Sequence, residues 1–128
     1  MNIPDAVVLS HATLPQAELP GITHRTLAGS EHGSTQLSIW RQTMAPGAAT
    51  PLHVHDTEEV VLCHAGRGEV HIAGRVHRFG AGTSLLLPRD VPHQLFNVGD
   101  EPLETTGVFP SAPVGVFDLE RRPMPLPW

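Results

Sequence analysis

Four residues near the middle of the chain have side chains and spacing that suit a metal ion. His53 and His55 lie two residues apart, and Glu59 follows four residues after His55. In a strand, residues two apart project from the same face, so both imidazoles would reach one ion. Glu59 shares that parity, and His93 would join them from a different hairpin. We therefore predict a site for one divalent metal ion, formed by His53, His55, Glu59 and His93.

The chemistry of this donor set is mixed. Imidazole suits Zn, Cu, Fe and Ni, while carboxylate adds preference for harder ions such as Mn. Three imidazoles and one carboxylate leave two positions open on an octahedral ion, and open positions distinguish a catalytic or ligand-binding metal from a closed structural one. The sequence does not choose among Fe, Mn, Ni, Cu and Zn.

Two adjacent carboxylates compete for the acidic position. Only one of Glu58 and Glu59 can share the parity of His55 and Val61, and we predict Glu59 as the ligand. Glu59 could also detach from the metal and act as a catalytic base. Glu58 is then a solvated residue at a strand start or an acceptor for the second nitrogen of a ligand imidazole.

The predicted ligands belong to two spaced clusters, residues 47–66 and 82–97, and fifteen residues separate these clusters. They resemble the two sequence motifs of the cupin superfamily, and nine of ten specified positions match: Gly47, His53, His55, Glu59, Gly66, Gly82, Pro88, His93 and Asn97. The departure is Asp90, where the family pattern usually has Gly. The resemblance implies one cupin domain over 1–128, a double-stranded β-helix or jelly-roll barrel with the metal inside one end.

The rest of the chain agrees with an all-β protein. Thirteen Pro and twelve Gly are spread along it, and no sustained helical period appears. The clearest strand-like runs are 36–44, 59–64, 68–73, 83–87, 94–98 and 103–109, with weaker ones at 7–9, 23–27 and 114–119. Short, evenly spaced strands of this kind are typical of a sandwich or a barrel.

Strand parity also predicts a pocket beside the metal. Val61 and Cys63 follow Glu59 on one inward face, Leu95 follows His93 on another, and Asn97 closes the second motif. Such an apolar pocket favours a small organic ligand held through its oxygen atoms. The Asn97 amide either lines the site or bonds backbone at a strand end.

Two placements stay open at this stage. The run 36–44 cannot be phased, so either Arg41 or Trp40 faces the interior, and an inward Arg41 would favour an anionic substrate. The segment 121–128 has Pro at alternate positions, so it should be extended, with Trp128 docked on its own barrel or on a neighbouring subunit. The remaining histidines lack ligand spacing and are predicted to be surface or packed residues: His11, His24, His32, His64, His71 and His77.

Composition limits the partners. A net charge of −5 without a Lys/Arg run argues against nucleic acid. The apolar runs are far shorter than the roughly 20 residues of a membrane-spanning helix. A single cysteine, Cys63, and an N-terminus unlike a secretory signal predict a cytoplasmic protein. The resemblance further implies a homodimer paired through 7–9 or 23–27.

Three functions remain for the predicted site. The leading hypothesis is a metal-dependent enzyme with dioxygenase-type chemistry on a chelating enol, phenol or diketone, which the resemblance and the open coordination positions imply. A non-redox isomerase, epimerase or lyase on a sugar-derived or keto acid would need further inward acid or base groups and an inward Arg. A closed cavity would favour the third hypothesis, a non-catalytic module that binds a small molecule.

Overall fold

The computed structural model describes residues 3–128, and its regular structure is almost entirely β. Two short 3₁₀ turns, His11–Thr13 and Ser30–His32, are the helical elements of this part of the chain. The nine strands are β1 Ala17–Leu19, β2 Ile22–Ala28, β3 Ser38–Met44, β4 Glu59–Ala65, β5 Arg67–Ile72, β6 Arg75–Gly80, β7 Thr83–Leu87, β8 His93–Asn97 and β9 Leu103–Phe109. The predicted all-β class is confirmed.

The strands form two antiparallel sheets. Six strands pair in the order β1-β2-β3-β9-β4-β7, and three pair in the order β6-β5-β8. The apolar core lies between the sheets, because it combines side chains from both, among them Met44, Val61 and Leu103 of the first and Val70 and Leu95 of the second. Alternation explains this arrangement: in β9 every second residue from Leu103 to Phe109 is buried, as expected for a strand with one face on a core.

Each of the six clear strand-like runs overlaps one strand, with ends that differ by two residues or fewer, and 23–27 lies inside β2. The run 7–9 is not a strand, and Val7 and Val8 are exposed. The run 114–119 makes only isolated bridges, at Phe117. Sequence reasoning also missed β1 and β6. In β6 the first four residues are all exposed, so the edge strand carries no alternating signal.

The residues before β4 extend the smaller sheet and include two of the predicted metal ligands. Ala49 bridges Phe96, and His53 bridges His93, so the segment runs antiparallel to β8. On its other side Val54 bridges Phe117. His53 and His55 therefore lie in an extended segment outside the named strands, and it is held between β8 and the C-terminal chain.

The C-terminal segment returns over the larger sheet. Trp128 packs against His24 of β2 and Trp40 of β3, so it docks on its own chain. The homodimer stays a prediction, and within 3–128 the segment 7–9 pairs with no strand. No helix among the described residues is long and apolar enough to cross a membrane.

Core packing predicts a matched pair of leucine substitutions. Leu103→Ala empties a site that is 0% exposed and should lower the free energy of unfolding by about 2–5 kcal/mol. Leu86→Ala, at a side chain that is 78% exposed, should change it by less than about 0.5 kcal/mol. Urea unfolding followed by fluorescence measures both. Equal effects would contradict this assignment of the core.

Candidate metal centre

The four predicted ligands meet in space. One donor atom from each of His53, His55, Glu59 and His93 lies within 4.8 Å of all the others, a group that could hold a metal ion. The backbone sets part of this geometry, because the His53 N–H donates to the His93 carbonyl at 3.1 Å and the His93 N–H donates back at 3.0 Å. The Glu59 carboxylate Oε1 lies 3.5 Å from Nε2 of both His55 and His93.

Backbone carbonyls fix the orientation of all three imidazoles. Nδ1 of His53 lies 2.6 Å from the Pro51 oxygen, Nδ1 of His55 lies 2.9 Å from that of Gly115, and Nδ1 of His93 lies 3.3 Å from that of Val91. A carbonyl only accepts, so each Nδ1 carries the proton and each Nε2 presents its lone pair to the cluster. Nε2 of His93 is buried without a hydrogen-bond partner, as expected for an atom whose partner would be a metal ion.

The two glutamates differ in burial and in their distance from the cluster. Glu59 is 9% exposed at the start of β4 and belongs to the cluster, whereas Glu58 is exposed and lies outside it. On β9 a Cβ at Gly107 would lie 2.9 Å from Glu59 Oε2, so a side chain at this position would shift the Glu59 carboxylate. The motif spacing does not reveal this contact.

Electrostatics keeps the imidazoles in the form that binds metals. Burial, followed by the neighbouring His93 and His55, lowers the pKa of His53 to about 4. Burial also lowers the pKa of His55, although the Glu59 carboxylate opposes the shift. Both rings are therefore neutral at neutral pH, and a neutral ring with a free Nε2 is the metal-ligating form.

The donors form the floor of a small cavity of about 50 Å³. Its walls are mostly apolar and come from β1, β2, β3, β8 and the C-terminal segment: Leu19, Ile22, Trp40, Leu95, Val116, Met124, Leu126 and Trp128. Apart from the four cluster residues, its polar lining residues are Gln42 and Thr50, neither of which titrates near neutral pH. The cavity thus offers metal binding and apolar contact, with Glu59 as its one carboxylate.

Of the predicted pocket residues, Leu95 lines this cavity and the other three do not. Val61 and Cys63 lie in the core between the sheets, because the inward face of β4 passes below the cluster after Glu59. Asn97 Nδ2 donates to the carbonyls of Met44 and Glu101, each at 2.9 Å, so its amide fastens backbone at the end of β8.

The phase of β3 is also decided. Trp40 lines the cavity and lies edge-on to His55, with ring centroids 6.4 Å apart. Arg41 points away from the cavity and lies 3.6 Å from Glu104 on β9. Of the two placements that the sequence left open, Trp40 faces the cavity, and the condition for expecting an anionic substrate, an inward Arg41, is not met.

Eight lining residues lie outside the motif pair. Among them Trp40, Gln42 and Trp128 contact the His24 ring, which lies behind them. The His24 ring is 1% exposed, lies 2.8 Å from Thr26 Oγ1, and accepts from Gln42 Nε2 at 3.0 Å. It is a packed histidine, as predicted. No spacing links it to Trp128, which is more than a hundred residues away along the chain.

The departure at Asp90 has a structural role. Asp90 takes a left-handed φ of 63°, which Asp tolerates better than most residues, and its N–H donates to the His55 carbonyl at 2.8 Å. Its carboxylate accepts from Arg121 at 2.9 Å and from Arg89 at 3.1 Å. The hydrogen bond from Arg121 holds the pKa of Asp90 below its usual value. Asp90 therefore links a ligand segment to the C-terminal segment.

Comparison with known proteins agrees with this architecture. The family model described as "Cupin domain" matches residues 40–109. Auxin-binding protein 1 of Arabidopsis thaliana is 34% identical over 93% of this chain and 66% of its own length. The chain thus spans about two thirds of that relative.

Solved structures share the fold. Bacillus subtilis oxalate decarboxylase at pH 4.6 superposes with a TM-score of 0.81 at 23% identity, over 93% of this chain and 33% of its own. The polyketide cyclase RemF of Streptomyces resistomycificus superposes with a TM-score of 0.73 at 20% identity, over 86% of this chain and 84% of its own.

Burial of His24 predicts a pH effect on the stability of the metal-free protein. Burial lowers the pKa of His24 from 6.5 to about 4, so the unfolded chain binds the proton more strongly. Its contribution to stability is intact above about pH 6.5 and is lost as the pH falls towards 4, by roughly 2–3 kcal/mol. His24→Asn should therefore flatten the loss of unfolding free energy between about pH 7.5 and 4.5, measured by urea unfolding.

The exposed His77 supplies the control, because His77→Asn should leave the pH dependence of the wild type unchanged. His53 and His55 contribute equally to the pH dependence of the unfolding free energy in the wild type and in both variants, so their effects cancel in the comparison. If the unfolding free energy of His24→Asn fell as steeply with pH as that of the wild type, the attribution of this pH dependence to His24 would be wrong.

Proposed function

Because the chain belongs to the cupin family, we propose that it binds a divalent transition metal at His53, His55, Glu59 and His93 and uses it to hold a small organic ligand. The observation that carries the proposal is the orientation of the three imidazoles. Each Nδ1–H donates a hydrogen bond to a backbone carbonyl, and the Nε2 atoms converge with Glu59 on one wall of an apolar cavity. A structural metal would not need such a cavity.

The ligand is a small, flat, mostly apolar molecule that carries oxygen donors. When bound, the metal would supply Lewis-acid binding of those oxygens and, if redox-active, dioxygen chemistry. Trp40, Leu95 and Thr50 would contact the rest of the molecule and exclude water. The relative that covers 93% of this chain is named for binding auxin, which supports a binding role.

A dioxygenase acting on a chelating enol, phenol or diketone is the second candidate. The donor set suits Fe, Ni and Cu, and the apolar cavity would shield a reactive intermediate from water. Glu59 is the one group placed to take a proton from a bound enol or phenol. A non-redox isomerase or lyase receives less support, because Arg41 faces outward and no acid or base apart from the four cluster residues lines the described cavity.

The adjacent glutamates provide a sharp test of the metal site. Glu59→Gln removes the negative donor and should weaken metal affinity at least about tenfold, whereas Glu58→Gln should leave it unchanged. Protein purified without added metal is analysed by elemental mass spectrometry, and affinity is measured by competition with a chelator. Equal metal content in the wild type and in Glu59→Gln would overturn the site.

Ligand binding is tested with cobalt-loaded protein, because the visible bands of Co(II) respond to its coordination. Acetate, which is small enough for the cavity, should shift these bands saturably in the loaded wild type. An unchanged spectrum at saturating acetate would exclude an open coordination position. Oxygen uptake by iron-loaded protein with 2,4-pentanedione separates the two candidates: uptake that Glu59→Gln abolishes favours the dioxygenase, and binding without uptake favours the binding protein.

A further inference from the structure

The N-terminal arm, which we define as residues 3–9, is an apolar segment that lies exposed beside its own chain. The side chains of Ile3, Val7 and Val8 are 83%, 66% and 94% exposed. No hydrogen bond joins the arm to another part of the described chain. Exposed aliphatic side chains are ordinary one at a time, but three in one unpaired segment indicate a surface that another element covers.

One sheet edge is open to such a segment. The two sheets end in four edge strands, β1 and β7 of the larger sheet and β6 and β8 of the smaller one. β1 has only three residues, β6 carries two arginines and a histidine, and the segment before β4 covers β8. Short, charged and covered edges are the means by which proteins prevent a further strand from pairing. β7 has five uncharged residues, and no strand of the described chain pairs with its second edge.

An apolar groove of about 490 Å³ lies beside β7. Most of its lining is aliphatic and comes from β5, β7 and the loop that follows β7. Its polar part includes Arg75 and His77, and no acidic residue of the described chain lines it. In a protein with a net charge of −5, this groove is therefore locally positive.

The arm matches the groove in apolar character and in charge. In an extended strand alternate residues share a face, so Ile3, Asp5, Val7 and Leu9 would project together. Three of these side chains are aliphatic, and Asp5 is the only charged residue of the arm. An apolar face with one carboxylate is complementary to an apolar groove with Arg75 at its side.

A second copy of the chain is the source of an arm for this edge. Residues 10–16 join the arm to β1, and β1 and β7 are opposite edges of the six-stranded sheet. No arm residue lines the groove of its own chain. The other segment predicted for a dimer, 23–27, lies in β2 and already pairs with β1 on one side and β3 on the other.

We propose that the N-terminal arm of one copy adds as a strand to β7 of a second copy, and that the two copies exchange arms in a two-fold dimer. Backbone hydrogen bonds along β7 would supply affinity, and the groove would select the apolar, acidic face of the arm. Reciprocal exchange leaves neither an arm nor an edge unpaired. The proposal is independent of the proposed function, since neither the arm nor β7 contributes a residue to the metal cluster or its cavity.

Adjacent valines of the arm provide a matched test. Val7→Lys sets an ammonium group against the apolar groove and Arg75, so the dissociation constant of the dimer should rise at least about tenfold. Val8→Lys lies on the opposite face of the arm and should leave this constant unchanged. Sedimentation of the untagged 128-residue chain measures the constant, and circular dichroism should show the same fold for both variants, because both side chains are exposed in the single chain.

A charge exchange tests whether the arm binds in a second copy. Asp5→Arg alone opposes two guanidinium groups, and Arg75→Asp alone opposes two carboxylates, so each variant should dissociate at least about tenfold more readily than the wild type. In an equal mixture of the two variants every arm meets a groove of opposite charge. Native mass spectrometry should then show a heterodimer that neither variant forms with itself.

Two patterns would overturn the exchange of arms. The first is a wild type that stays monomeric at its highest soluble concentration, which would include an arm that folds onto its own β7. The second is a dimer that Val7→Lys leaves as stable as the wild type, or variants Asp5→Arg and Arg75→Asp that form no heterodimer when mixed. A dimer weakened by Val7→Lys, left intact by Val8→Lys and restored by the mixture would support it.

Discussion

The pair of backbone hydrogen bonds between His53 and His93 is the interaction on which the site depends. These two residues are forty positions apart in sequence, and the bonds join the segment before β4 to the first residue of β8. Because the two backbones are hydrogen-bonded to each other, the two imidazoles project from the same face of the pair, with centroids 4.4 Å apart. His55 and Glu59 follow within six residues of His53, and the Gly115 carbonyl orients the His55 ring.

Placing three histidines and a glutamate beside an apolar core is costly unless each polar atom has a partner. The chain meets this requirement with the carbonyls of Pro51, Val91 and Gly115, which accept hydrogen bonds from the Nδ1–H groups. The Nε2 atoms carry lone pairs, and that of His93 is buried without a hydrogen-bond partner. A metal ion would accept these lone pairs. The same hydrogen bonds that satisfy the buried rings thus also orient them for metal binding.

The C-terminal segment completes the site in two ways. Gly115 orients His55, and the ion pair of Arg121 with Asp90 fastens the segment to the loop that precedes β8. Further on, Trp128 stacks on His24 and lines the cavity. The same segment therefore orients one imidazole of the cluster through Gly115 and forms part of the cavity wall through Trp128.

The sequence by itself predicted the all-β class and the four residues that meet in the cluster, because strand parity and motif spacing are local properties of the chain. It placed six strands closely, and it predicted that Glu59 and not Glu58 would be the ligand. The tertiary structure decided which residues surround that centre. Whether Trp40 or Arg41 faces inward depends on pairing with β9. The stacking of Trp128 on His24 joins two residues from opposite ends of the chain. Such long-range contacts leave no periodic signal, because packing and not spacing creates them.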